Sequence, residues 1–281
     1  MVITGCSSGI GLAAAIEFAR QGRTVVATVR RVDRSEPLRH ALRDAGVSAE
    51  IVALDVTDDA SVRGALEVVA ARVGPVEVIV SNAGVGIDGT TEELTVEDFR
   101  RSLDTNLLGS VRLLHAVLPA WRARGAGRFI AVGSTAGVIG TPFNDAYCAS
   151  KFALEGLLES LSPVVAAYGI KISVVEPGPV AGQFERRSGP PAGRSGGPYA
   201  AARQRFQTAQ DAGYATAQSP AEVAEVLCAV AAADQPLFRY QTGEGVARLI
   251  GVKLRDTTGE RITALTSRWV ETTGGPPRPV V

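Results

Sequence analysis

Thiols are scarce in this chain of 281 residues: Cys6, Cys148 and Cys228 are odd in number, far apart and without CxxC spacing. That pattern argues against a disulfide framework and against a zinc site. Histidine is scarcer still. His40 and His115 stand away from the cysteines and from any pair of carboxylates at ligand spacing, so neither a metal centre nor a Ser-His-Asp triad is expected. His115 reads as a satisfied, partly buried residue. No apolar run reaches the about 18 residues that a membrane-crossing helix needs. The N-terminus also lacks the basic segment and cleavage site of a signal peptide. These absences predict a soluble, cytoplasmic protein without a membrane span. Net charge is missing too: Lys plus Arg and Asp plus Glu both number 29, which removes the electrostatic case for nucleic acid as a partner.

What the chain has is 46% hydrophobic residues, enough for a sizeable core. Its length suits one α/β domain, expected over residues 1–270 with a disordered tail at 271–281. Val2-Ile3-Thr4 is a β-branched run that breaks at Gly5, and Leu12 to Arg20 reads as a helix after Cys6-Ser-Ser-Gly-Ile-Gly11. Glycines at 5, 9 and 11 allow a tight turn and close backbone approach to a phosphate, which the helix N-terminus favours. The same glycines also serve a purely structural turn. A first strand this short predicts that the natural N-terminus lies a few residues upstream.

A second strand, 24–29, ends at Arg30-Arg31 where an acid would bind the ribose hydroxyls of NAD. Arginine there accommodates the extra phosphate of NADP, so NADP(H) is the expected cofactor; two surface charges are the alternative. A helix over 36–45, a strand over 50–54 ending in Asp55-Val56, and a helix from Asp58 to Val73 follow. Asp55 stands where it can reach an adenine edge. A fourth strand, 76–80, runs into Ser81-Asn-Ala-Gly84. Strands and helices thus alternate with a period of about 25 residues, which predicts right-handed crossovers and a Rossmann-like, doubly wound parallel sheet of about seven strands with helices on both faces. Ligands bind such sheets at the carboxyl ends of the strands, where Gly5, Arg30, Asp55 and Asn82 all fall.

A long helix over 96–121 carries Asn106, a candidate inward-facing hydrogen-bonding post. A fifth strand over 127–132 is followed by Ser134, and a sixth over 170–175 closes in Pro177-Gly178-Pro179-Val180. Pro163 predicts a kink between 159 and 163 of the helix that precedes the sixth strand. From 181 to about 218 the pattern dissolves into a Gly/Pro-rich stretch with a short helix near 200–209. Its place beside the rim makes it a candidate substrate lid, with a plain flexible insertion the alternative for its Gly/Pro part. A helix from Pro220 to Ala233, a seventh strand over 237–241 and a mostly helical segment over 245–269 complete the chain.

The remaining helix, read over 145–168, holds Tyr147 and Lys151 one turn apart at the head of an apolar stripe of Leu154, Leu158, Leu161 and Val165. An ammonium beside a phenol lowers the phenol's pKa, which makes a general acid/base. Alone, the five-residue pattern also fits a buried tyrosine with a snorkelling lysine. Together with the rim residues, it resembles the short-chain dehydrogenase/reductase family over residues 1–233.

Thr4-Gly-Cys-Ser-Ser-Gly-Ile-Gly11 is similar to that family's cofactor turn, and Ser81-Asn-Ala-Gly84 to its Asn-Asn-Ala-Gly element with one substitution. Within the family, the cofactor turn, the stretch from Pro142 to Gly156 and the basic strand end at Arg30 resemble the 17β-hydroxysteroid and retinol dehydrogenase branch. The resemblance implies a catalytic set of Asn106, Ser134, Tyr147 and Lys151. It implies cofactor contacts from Gly5, Ser7, Ser8, Gly9, Ile10, Gly11, Arg30, Asp55, Val56, Asn82, Ala83 and Gly84, then from Tyr147, Lys151, Pro177, Gly178 and Val180. It further implies hydride transfer between NADP(H) and a ketone, secondary alcohol or aldehyde of a small hydrophobic substrate, in a homodimer or homotetramer. Two features depart from the family: Gly182 stands where a Thr is common, leaving Gln183 or backbone groups near Val180 to substitute, and the lid is poor in aromatics. Two other classes remain. A cofactor-binding sensor would not need Ser134, Tyr147 and Lys151 together, and a nucleotide-sugar epimerase or dehydratase would need a second substrate domain after Pro177.

Overall fold

A computed structural model describes residues 1–182, 197–214 and 217–271. Residues 183–196 of the expected lid, which include Gln183 and most of its Gly/Pro-rich part, residues 215–216, and all but the first residue of the expected tail lie outside these. Seven strands form one parallel sheet in the order β3-β2-β1-β4-β5-β6-β7. They are β1 (Val2–Ile3), β2 (Val26–Val29), β3 (Glu50–Ala53), β4 (Val78–Ser81), β5 (Gly127–Val132), β6 (Ile170–Glu176) and β7 (Arg239–Gln241). The helices between them are α1 (Gly9–Arg20), α2 (Glu36–Asp44), α3 (Asp59–Arg72), α4 (Val96–Leu103), α5 (Gly109–Arg124), α6 (Asp145–Ala166), α7 (Ala200–Tyr214), α8 (Pro220–Ala232), α9 (Glu244–Arg255) and α10 (Glu260–Ser267). The expected doubly wound sheet is therefore the observed one.

Side chains alternate across each strand, and the alternation builds two cores. Val2, Val26, Ile79 and Phe129 face one layer with Leu113, Trp121 and Leu158. Their neighbours Ile3, Ala27, Val80 and Ile130 face the other, with Phe18, Leu38 and Leu227. Strands covered on both faces read in sequence as unbroken apolar runs. Two-residue β1 holds the centre because Val2 pairs with both Val26 and Ile79. Asp58 caps α3 by accepting from the amides of Ala60 and Ser61, and Ser219 with Glu222 makes a capping box on α8.

Several boundaries differ from expectation. The helix read as continuous over 96–121 is α4 and α5 joined by a π turn, Asp104–Leu108, and it runs on to Arg124. His115 is exposed on α5 rather than partly buried. The helical segment over 245–269 is two helices, α9 and α10, separated at Asp256–Gly259, where Gly259 takes a left-handed φ of 81°. Helix α6 contains Pro163 and ends at Ala166, two residues short of the expected 168. The short helix expected near 200–209 extends to Tyr214. No helix among the described residues is long and apolar enough to cross a membrane, and no group of His, Cys, Asp and Glu among them could hold a metal ion.

Candidate active site

A cleft of about 870 Å³ runs along the carboxyl ends of the strands, lined from Gly5 and Arg30 at one end to Tyr147, Lys151 and Pro177, and on to Phe206 and Trp269. Of the expected catalytic and cofactor-binding residues, all but Gly11 and Asn106 line it.

The glycine turn is fixed by its neighbours. Gly5 has a φ of 72°, which favours glycine. A Cβ on Gly11 would lie 2.4 Å from the Gly5 carbonyl oxygen, so Gly11 serves the turn from behind. Asn82 ties β4 to this turn: its Nδ2 donates to the Thr4 carbonyl at 2.9 Å, and its amide and that of Ala83 both donate to Thr4 Oγ1 at 3.0 Å. Asp55 Oδ1 accepts from the Thr57 amide and hydroxyl at 2.9 and 2.7 Å. Arg31 pairs with Asp33. Arg30, by contrast, lines the cleft and makes no side-chain hydrogen bond or ion pair among the described residues. An exposed guanidinium without a partner, next to a glycine turn at a helix N-terminus, suits the phosphates of a dinucleotide.

At the other end, Ser134 closes β5 and its Oγ accepts from the Ala136 amide at 3.1 Å. Thr135 then donates through both its amide and its hydroxyl to the Pro177 carbonyl, at 2.9 and 3.0 Å, fastening the Pro-Gly turn to β5. Lys151 is buried, its Nζ donating to the Val132 carbonyl at 2.8 Å and lying 5.8 Å from the centre of the Tyr147 ring. Desolvation pushes the Lys151 ammonium down to about 8, while the neighbouring Glu155 works the other way.

Asn106 sits in the π turn, 2% exposed. Its Oδ1 accepts from the Val85 amide at 2.8 Å, and its Nδ2 donates to the Val85 carbonyl at 2.9 Å and to Ser150 Oγ at 2.8 Å. Ser150 Oγ in turn donates to the Tyr147 carbonyl at 2.7 Å. The Asn106 side chain thus locks the loop after Asn82 to the turn that bears Tyr147.

Three features escaped the sequence reading. Behind Lys151, two buried carboxyls, Glu155 and Glu176, share Arg239, whose Nε lies 3.0 and 3.4 Å from them. Burial and mutual repulsion raise Glu155, and burial raises Glu176. A glutamate four residues after Lys151, beside the apolar stripe, was the available signal. Phe143 adopts a left-handed φ of 60° at the cleft's edge, its ring 5.7 Å from that of Phe206. Asp88 lines the cleft, and no periodicity marks it.

A glycine turn, an arginine unpaired among the described residues and a serine-tyrosine-lysine group lie along one rim of a doubly wound sheet, the arrangement expected of a nicotinamide dinucleotide-dependent oxidoreductase. Residues 1–191 match the family model described as short chain dehydrogenase, and the chain belongs to that family. It is 40% identical to 17-beta-hydroxysteroid dehydrogenase type 1 of Homo sapiens, covering 94% of this chain and 84% of the relative. Identity to retinol dehydrogenase 8 of Bos taurus is 37%, covering 92% and 86%. Among solved structures, a short-chain dehydrogenase from Streptomyces avermitilis superposes with a TM-score of 0.75 at 30% identity, covering 94% of this chain and 96% of the other.

Proposed function

We propose that the protein is an NADP(H)-dependent oxidoreductase that interconverts a ketone or aldehyde and its alcohol on a hydrophobic substrate such as a steroid, retinoid or polyketide. The observation that carries this reading is one continuous cleft with Arg30, unpaired among the described residues, at one end and Ser134, Tyr147 and Lys151 at the other. The relatives' names, a steroid and a retinol dehydrogenase, supply the substrate class.

A nicotinamide cofactor held in the cleft would supply or accept the hydride. Ser134 donates a hydrogen bond to the substrate carbonyl oxygen and polarises it. Tyr147 gives that oxygen its proton during reduction and takes it back during oxidation. Lys151, held by the Val132 carbonyl, stabilises the Tyr147 phenolate and binds a ribose hydroxyl of the cofactor. Gly5, Ser7, Ser8, Gly9 and Ile10 would hold the phosphates, Asp55 and Val56 would flank the adenine, and Ala83 and Gly84 would wall the ribose. Pro177, Gly178 and Val180 support the nicotinamide. Asn106 positions Tyr147 through Ser150, and Gly11 shapes the turn. The exposed Ala149, Phe152, Gly156 and Ser160 on α6, with exposed Leu108, form the face through which a homodimer or homotetramer packs.

The test is a pair of fluorescence titrations with NADPH and NADH, followed by nicotinamide absorbance over a panel of aromatic ketones, steroids and retinal. NADPH is expected to bind at least about tenfold more tightly, with Arg30→Ala erasing the difference. Equal affinities in the unsubstituted protein refute the NADP assignment. Cofactor binding without turnover of any carbonyl favours a sensor.

A further inference from the structure

The substrate end of the cleft is not uniformly apolar. Ile139, Phe206, Leu249 and Trp269 supply hydrocarbon, yet a carboxyl, Asp88, stands in the same wall. Its backbone is fixed on both sides. Ile87, 4% exposed, packs with Leu94 and Ala146. The Gly89 amide donates to the Phe143 carbonyl at 2.6 Å, and the Gly89 carbonyl accepts from the Asp145 amide at 3.4 Å, forming a bridge to the start of α6. Glycine is required at 89, where φ is 153° and a Cβ would fall 2.7 Å from Leu94.

The cation that faces Asp88 is engaged elsewhere: Arg203 pairs with Glu93 and lies 4.4 Å over the Phe143 ring. Asp88 itself makes no side-chain hydrogen bond or ion pair among the described residues. A half-buried carboxyl held rigidly against a cavity, with no partner among the described residues, is costly once a ligand displaces its water unless that ligand satisfies it. Burial pushes it up to about 7, opposed by Arg203.

We propose that Asp88 is a specificity-determining residue that pairs with a hydrogen-bond donor, a hydroxyl or an ammonium, carried by the substrate in addition to its reacting carbonyl. The inference rests on the carbonyl-reductase reading above and narrows its substrate class from hydrophobic to amphipathic. Apolar walls bind the body of the substrate, and Asp88 selects among bodies of similar shape, because a donor-lacking analogue leaves the carboxyl desolvated and unpaired.

The test uses polycyclic ketones in matched sets, each as the plain parent, with one added hydroxyl and with one added primary amine. With NADPH, at least one substituted member is expected to exceed its parent in kcat/KM by about 10–100-fold. Asp88→Leu should bring that ratio to about one, lowering the substituted member and raising the parent. A structural role would instead lower both. Asp88→Asn separates the two donors, since it keeps a hydroxyl partner but loses an ammonium partner. Thermal melting of each variant establishes that it is folded. Parents turned over as well as every substituted member, or a ratio unchanged in Asp88→Leu, overturn the assignment while leaving the reductase reading intact. No turnover of any ketone overturns both.

Discussion

In the proposed reaction Tyr147 and Lys151 act as a unit, because α6 stacks them one turn apart and burial removes water from the ammonium. A positioned acid contributes typically ~10²–10⁴-fold. Tyr147→Phe should therefore lower kcat by that order while leaving the NADPH dissociation constant within about twofold, as steady-state rates and fluorescence quenching will show; near-normal kcat would remove Tyr147 from the mechanism. Their place on one helix at the cleft was legible in the sequence, because a spacing of four residues stacks two side chains on one helical face. Asp88, Glu155 and Phe143 were not. Asp88 acquires its meaning from a cavity wall assembled from distant segments, and Glu155 from Glu176 and Arg239 on two other elements. The backbone of Phe143 is held in its left-handed conformation by tertiary contacts that no local preference encodes.

At the scale of elements, strands buried on both faces announced themselves as apolar runs, and β5 ends where its run ends. The π turn at Asp104–Leu108 did not, because Asp-Thr-Asn-Leu-Leu contains no helix breaker. Arg112 donates to the Asp104 and Val56 carbonyls at 3.3 and 3.0 Å, so the irregularity is fixed by contacts outside the segment. Glycines likewise divide by surroundings. Alanine at 11 would thrust its Cβ within 2.5 Å of both the Gly5 carbonyl oxygen and Asn82 Nδ2, whereas a Cβ at Gly64 within α3 meets nothing within 4 Å. Gly11→Ala should cost about 1–3 kcal/mol in urea denaturation and weaken NADPH binding. Gly64→Ala should instead stabilise by about 0.5–1 kcal/mol. The same sign for both would mean that the close approach of α1 to the turn is unimportant.

For the molecule as a whole, buried carboxyls link stability to pH. Asp88 rises from 3.8 to about 7 on folding, and Glu155 and Glu176 shift in the same direction. The native state therefore binds protons that the unfolded chain has released. This contribution is fully present below the unfolded values and is lost as pH rises through the folded ones. The urea midpoint should fall between about pH 5 and about pH 7.5, and Asp88→Asn should shrink the fall; a midpoint that climbs over that window would contradict the burial of these groups.

The wall of the cleft draws on residues from Gly5 to Trp269, so nearly the whole length of the chain converges on one ligand-sized space. Whatever occupies that space binds the folded state alone and acts on the folding equilibrium by mass action. A ligand at a hundredfold excess over its dissociation constant adds ~2.7 kcal/mol. The abundance of the dinucleotide around the protein is thereby a determinant of how long the protein lasts, apart from how fast it turns over.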